Sequence, residues 1–313
     1  MSKKKAIFIV GPTASGKTAL SIHIAKKFGG EIISADSMQI YKGIHIASAA
    51  PNVEEMDGIT HHLLEFLELT EQFSVADYVK MARKCINDIF SRGKIPVIVG
   101  GTGLYINSLL DNTEFSDSET DFDLRNRLED EFNKMGGEEM LKKLSEFDPD
   151  TASRLHPNNR RRIIRAFEVY MQTGKTITYQ NEVSHLNDVP FQSLVIGINY
   201  KEREKLYERI NKRVDIMIEN GLLEEAKATY AIDSSKGAFQ AIGHKELYGF
   251  FDGDISLEEA KEHLKQQTRR YAKRQLTWFR RDERINWIYP DGDTDIFELS
   301  EKIVNDFFKE DRN

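Results

Sequence analysis

Residues 11–18 read Gly-Pro-Thr-Ala-Ser-Gly-Lys-Thr and fill the pattern G-x-x-x-x-G-K-[S/T] without a gap. The apolar run Ala6-Ile7-Phe8-Ile9-Val10 precedes them, as a buried parallel strand requires. After them, residues 19–28 place apolar side chains at helical spacing and stop at Gly29-Gly30. Strand, glycine-rich loop and helix in that order form a phosphate-binding loop. The backbone amides of Gly11, Pro12, Thr13, Ala14, Ser15 and Gly16 (Pro12 excepted, having no N–H) can form an anion nest. The helix that follows adds its positive end. Lys17 supplies a point charge to the terminal phosphate and the Thr18 hydroxyl a ligand for Mg²⁺. A di- or triphosphate ester is therefore expected here, its identity left open by the loop itself.

A motif of this kind implies an α/β fold built on a P-loop NTPase-like parallel sheet. The apolar runs at 31–35, 95–99, 193–198 and 285–289 supply further strands. The second ends in Asp36, and ligands in open α/β sheets sit beyond the carboxyl ends of strands. Asp36 is thus expected close to the phosphate loop, on a strand neighbouring the first. The strand at 95–99 runs into Gly100-Gly101-Thr102-Gly103-Leu104-Tyr105, with no acid at its end to serve as a Walker-B aspartate. That omission argues against ordinary ATP hydrolysis.

Between about residues 117 and 178 the strand pattern gives way to amphipathic helices, expected at 121–134, 138–147 and 158–173. A run of helices inside a βα chain reads as an inserted subdomain, giving a core of 1–116 with 179–313 and an all-helical insert at 117–178. A helix over 201–219 sets Arg209 and Arg213 one turn apart, a spacing that also suits surface pairs with Glu202, Glu208 or Glu219. Ser256 with Glu259 forms a capping box opening a helix to about Phe279.

The formal net charge is −7, but the charge is unevenly spread. Residues 154–165 hold five arginines and no acid, and residues 265–284 hold eight Lys or Arg against two acids, interleaved with Tyr271 and Trp278. Local field governs the docking of a polyanion, so both stretches are expected to meet phosphates. A single cysteine, Cys85, rules out an internal disulfide and a multi-cysteine zinc site. His61-His62 lacks companions at metal-site spacing. No apolar stretch approaches a membrane span, and the lysines after Met1 run straight into the first strand, so the chain is expected to be cytoplasmic and free of membrane.

Taken together, these segments resemble the bacterial tRNA dimethylallyltransferase (tRNA isopentenyltransferase) family over almost the whole length. The carriers are the phosphate loop, Ala-Asp-Ser-Met-Gln-Ile-Tyr at 35–41, His-His-Leu at 61–63, Gly-Gly-Thr-Gly-Leu-Tyr at 100–105, Arg160-Arg161-Arg162, residues 209–215, Gln-Ala-Ile-Gly at 240–243 and Lys-Arg-Gln-Leu-Thr-Trp at 273–278. The resemblance implies transfer of a dimethylallyl group from dimethylallyl diphosphate to N6 of the adenosine directly 3′ of the anticodon, in tRNAs reading codons that begin with U. The loop would then hold a diphosphate leaving group. An adenine amine is a weak nucleophile and needs an acceptor for its proton, for which Asp36 is the candidate. Lys17, Arg213, the loop amides and Mg²⁺ at Thr18 would stabilise the departing charge. By the same resemblance Asp36, Ser37, Met38, Gln39, Thr102, Gln240, Ala241, Ile242, Gly243, His244 and Lys245 line the RNA side. Arg160, Arg161, Arg162, Ile163 and Ile164 would contact the anticodon stem-loop. The family suggests a monomer with no obligate protein partner. One departure is plain: where the family usually carries Gly-Thr/Ser-Ala-Lys-Pro, this chain has Ala47-Ser48-Ala49-Ala50-Pro51, which puts any phosphate contact of that lysine in doubt. Two rivals stay open at this point, a P-loop kinase for a nucleotide or metabolite and a non-catalytic tRNA-binding protein.

Overall fold

The first strand, β1 (Lys4–Val10), lies inside the sheet with residues 6–10 fully buried. In the computed structural model, which describes residues 3–113, 115, 121–186, 189–230 and 242–309, it pairs in parallel with β4 (Ile95–Gly100) on one side and β5 (Phe191–Ile198) on the other. Ile7 faces Val97 across one ladder and Leu194 across the other. β2 (Gly30–Ser34) adds to β4, β3 (His61–His62) to β2, and β6 (Ile285–Ile288) to β5. The result is a six-stranded, all-parallel sheet of order β3-β2-β4-β1-β5-β6 in a mixed α/β fold. A strand paired on both edges and covered on both faces has no use for alternating polarity, hence the continuous apolar runs.

Helices cover this sheet. α1 (Lys17–Phe28) and α14 (Ile296–Lys309) pack together over a core that includes Ile9, Leu20, Ile24, Ile196 and Val304. α2 (His45–Ser48), α3 (Val53–Met56), α4 (Val75–Ser91) and α5 (Gly103–Leu110) follow in the first half of the chain. Ser74 and Asp77 cap α4 reciprocally. In the second half, α10 (Arg203–Glu219), α11 (Leu222–Tyr230), α12 (Lys245–Phe251) and α13 (Leu257–Phe279) enclose a smaller core of Val214, Leu222, Ala226, Leu247, Ala260 and Leu264.

By contact the chain divides into two compact units, residues 1–109 with 190–313, and residues 110–189. The second unit holds α6 (Phe122–Phe147), α7 (Pro149–Arg154), α8 (Arg160–Thr173) and α9 (Ile177–Leu186). α6 is broken at Gly136, whose φ of 79° and ψ of 165° are not helical, so the two helices expected there abut end to end. Its core is Leu124, Leu128, Met140, Leu144, Ile163, Ile164 and Phe167.

Two expectations change. β2 does not neighbour β1: β4 runs between them. The ends of β1 and β2 still serve one site because β4 terminates in Gly100, where a Cβ would stand 2.1 Å from the Ala35 carbonyl oxygen. The stretch 44–73, expected to be irregular, contains a short edge strand β3 at His61-His62, formed by pairing with Ile32 and Ile33. His62 Nε2 donates to Glu31 at 2.7 Å, and Lys94 and Arg92 also bond that buried carboxylate. Glu31 is held well below the usual carboxylate range, chiefly by the Arg92 guanidinium. Among the described residues no helix is long and apolar enough to cross a membrane.

Candidate active site

The loop between β1 and α1 is shaped by its glycines. Gly11 has φ of 149°, and a Cβ there would meet the Ile198 carbonyl oxygen at 2.6 Å. Gly16 caps α1 in a left-handed conformation and supplies no side chain, so nothing on the cap competes for the first amides of the helix. Among the described residues the buried Ser15 Oγ has no hydrogen-bond partner, which suits a loop that bonds a phosphate. Lys17 folds back, its Nζ donating to the Pro12 carbonyl at 2.7 Å. Two distant elements brace the loop: Thr13 N–H donates to Gln275 Oε1 at 2.8 Å, and Arg209 Nε donates to the Ala14 carbonyl at 2.9 Å.

The electrostatics call for an anion. Burial pushes the Lys17 ammonium down to about 8, an effect that neighbouring Asp36 opposes and Arg213 reinforces. Burial likewise lowers Arg213, with Asp36 and Glu55 opposing. Two buried cations and a helix N-terminus thus converge on the loop, where a diphosphate would take up their charge. Among the described residues Arg209 and Arg213 do not form the ion pairs with Glu202, Glu208 or Glu219 that their spacing allows; the exposed Arg209 braces the loop and Arg213 lines the site.

Asp36 follows β2 and is half-buried, its Oδ1 accepting from the Met38 N–H at 2.9 Å. Thr102 joins the two strand ends: its N–H donates to the Ala35 carbonyl at 3.2 Å, and its Oγ1 accepts from Ser37 N–H at 2.9 Å. Gln39 accepts from Ser34 Oγ at 2.9 Å and donates to the Ala49 carbonyl at 3.0 Å. These contacts border a cavity of about 320 Å³ lined by Lys17, Thr18, Asp36, Ser37, Met38, Gln39 and Arg213, and also by Ile242, Lys245, Tyr271, Arg274 and Gln275. A more open groove of about 940 Å³ runs along the outer side of the loop past Ala14, Ser15, Arg209 and Lys212. The two spaces meet at Lys17, Thr18 and Arg213. A ligand whose phosphates sit on the loop could therefore direct its organic group toward Asp36.

Not every residue expected at the site faces it. His244 is fully buried, donating through Nε2 to Glu225 Oε1 at 2.9 Å and sharing a 3.0 Å bond between Nδ1 and Thr229 Oγ1. Gly243 is buried too, and its N–H donates to Glu246. Gln240 and Ala241 lie outside the described residues. Ile163 and Ile164 belong to the core of the helical unit and offer RNA no side-chain surface, because that face of α8 packs on α6. Arg160 is bonded to Glu129 and Asn133 and lies over the Phe132 ring, while Arg161 and Arg162 are exposed and unpaired among the described residues. In the departing segment, Ala50 is buried and brings no charge to the groove, which Lys212 also lines.

Sequence reasoning missed the bracing role of Gln275 and the part played by Glu225. Glu225 accepts from the N–H groups of Ile46 and Ala47 at 2.7 and 2.9 Å and so ties α2, on the cavity wall, to His244. Lying in a Leu-Leu-Glu-Glu-Ala run, Glu225 reads as an ordinary solvated helix face.

The IPP transferase family profile matches residues 39–282. The chain belongs to the IPP transferase family. Among its relatives, the tRNA dimethylallyltransferase of Thermoanaerobacter sp. is 48% identical over 303 residues, covering 95% of this chain and 96% of the relative. That of Acetivibrio thermocellus is 50% identical over 300 residues, covering 95% and 94%. The crystal structure of the tRNA isopentenylpyrophosphate transferase from Bacillus halodurans superposes with a TM-score of 0.71 at 43% identity, covering 98% of this chain and 96% of that one. A eukaryotic dimethylallyltransferase described as acting on tRNA gives a TM-score of 0.81 at 32% identity, covering 98% and 80%. The IPP transferase match begins beyond the phosphate loop, but the Bacillus halodurans structure, matched over 98% of this chain, spans it.

Proposed function

We propose that this IPP transferase-family chain moves a dimethylallyl group from dimethylallyl diphosphate to N6 of the adenosine at position 37, directly 3′ of the anticodon, in tRNAs reading codons that begin with U. One observation carries the reading: a cavity with Asp36 on its wall opens onto a phosphate loop at Lys17 and Arg213. Such a layout suits a reaction whose nucleophile and leaving group arrive from different sides.

In this scheme the adenine N6 lone pair attacks C1 of the dimethylallyl group as the C1–O bond to diphosphate breaks. Asp36 accepts the proton that N6 loses. The loop amides, Lys17 and Arg213 take up the charge that accumulates on the diphosphate. The amine must leave the stack of the anticodon loop to reach Asp36, so the base is extruded into the cavity. Thr18 is exposed at the start of α1 and offers a single hydroxyl donor beside the loop. That donor set fits Mg²⁺, which binds through substrate phosphates and water with few protein ligands. When bound at Thr18, Mg²⁺ would supply further charge neutralisation at the diphosphate. Residues 117–178, with Arg161 and Arg162, would take the anticodon arm, and the enzyme would act as a cytoplasmic monomer.

Mass spectrometry of unmodified tRNA, after incubation with the protein, dimethylallyl diphosphate and Mg²⁺, tests the reading. It predicts one added dimethylallyl group, mapped by nuclease digestion to position 37. RNA that is bound but unchanged, or ADP production from ATP and a nucleoside monophosphate instead, contradicts it.

A further inference from the structure

α2 is a single helical turn that borders both spaces of the site. Ala47, Ser48 and Ala49 line the cavity, while His45, Ile46, Ala49 and Ala50 line the outer groove. One turn of helix does not hold itself, because nucleation costs more than its few hydrogen bonds return. None of the four residues of α2 is buried, and its N-cap, Ile44, has no side-chain oxygen for the orphan amides. The amides of Ile46 and Ala47 are the second and third of the helix, the ones that a serine or aspartate cap would satisfy. Here the carboxylate of Glu225 on α11 takes both, at 2.7 and 2.9 Å, from 179 residues further along the chain.

The same carboxylate reaches a second wall of the cavity. Glu225 Oε1 also accepts from His244 Nε2 at 2.9 Å, and Thr229 bonds the other ring nitrogen, so the imidazole is pinned at both ends. His244 stands between Gly243, where a Cβ would come 3.0 Å from the Ala47 Cβ, and Lys245, which lines the cavity. From α2 the connection continues inward. The Ser48 and Ala49 carbonyls accept from Gln39 Nε2 at 3.5 and 3.0 Å, and Gln39 Oε1 accepts from Ser34, two residues before Asp36. Glu225 itself lies outside both linings, yet all three bonds of its carboxylate go to segments that wall the substrate spaces.

We infer that Glu225 is a positioning residue which, with His244, holds the wall shared by the diphosphate groove and the nucleobase cavity. The inference rests on the functional reading above and adds to it a residue that touches neither substrate. A wall that is ordered only part of the time lowers apparent affinity by that fraction, whereas saturating substrates draw it into place. Loss of a helix cap therefore predicts that Glu225→Ala raises KM for both the tRNA and dimethylallyl diphosphate by roughly 3- to 30-fold, with kcat changed less than about 3-fold. Glu225→Gln keeps one acceptor and should fall between the two.

Steady-state kinetics of the full chain, with each substrate varied in turn, make the test. A merely structural role would shrink the active fraction and lower kcat with both KM values unmoved. Hydrogen exchange gives a reading independent of turnover. In Glu225→Gln the amides of Ile46 and Ala47 should exchange roughly 3- to 30-fold faster than in the unsubstituted protein, while those of β1 keep their protection. This comparison decides the matter even if Glu225→Ala does not fold. Unmoved KM values, a rise for one substrate alone, or unchanged exchange at Ile46 and Ala47 overturns the inference and leaves the functional reading standing. An unsubstituted protein that transfers no dimethylallyl group overturns both.

Discussion

The side chain of Gln275 accepts a hydrogen bond from the Thr13 N–H at 2.8 Å, across 262 residues of sequence. Its Nε2 donates at the same time to the Gly101 carbonyl at 3.0 Å. One nearly buried amide thus fixes the phosphate loop against the turn that presents Thr102. Gln275→Ala strands one donor and one acceptor, and a lost stability of about 1–3 kcal/mol is expected in chemical denaturation. Diphosphate binding should weaken in the same variant, because the loop keeps only its brace from Arg209.

Lys17 gives the site a distinctive pH dependence. In the free protein its ammonium titrates at about 8, against an ordinary value of 10.5. Affinity for diphosphate should therefore fall as pH rises through about 8 in isothermal titration, and Lys17→Gln should lack that component. Stability of the ligand-free protein moves the opposite way. Between pH 8 and 10.5 the unfolded chain binds the proton that the folded one has released, so stability rises with pH over this window.

The three consecutive arginines of α8 divide into two kinds. Arg160 is engaged with Glu129, Asn133 and Phe132, whereas Arg161 and Arg162 are exposed. Replacing Arg161 and Arg162 by Ala should weaken tRNA binding and reduce the slope of log affinity against log salt by about one to two. Arg160→Ala should leave the slope unchanged and cost the helical unit up to about 1 kcal/mol, read by thermal unfolding.

Strand positions with a large hydrophobic signal were legible from the chain. Residues 6–10 and 194–198 are buried on both faces, and burial on both faces writes an uninterrupted apolar run. The order of the strands was not legible, since the insertion of β4 between β1 and β2 depends on crossovers that no local pattern records. β3 escaped notice because two half-buried histidines carry neither alternation nor an apolar run; their pairing with Ile32 and Ile33 makes the strand. At the site, the phosphate loop is visible because several backbone requirements meet in eight consecutive residues. Gln275 and Glu225 are not, since each acts on a segment far away in sequence and looks locally like any polar helix residue. Side-chain direction was equally hidden along α8, where Ile163 and Ile164 turn into the core beside arginines that turn outward.

The central claim assigns proton removal to Asp36 and charge stabilisation to the loop beside it, and single-turnover transfer by Asp36→Asn tests it most directly. With tRNA and dimethylallyl diphosphate both saturating, the account predicts unimpaired tRNA binding and a transfer rate lowered by roughly 10²–10⁴. Transfer at the unsubstituted rate would contradict it and remove Asp36 from the chemistry.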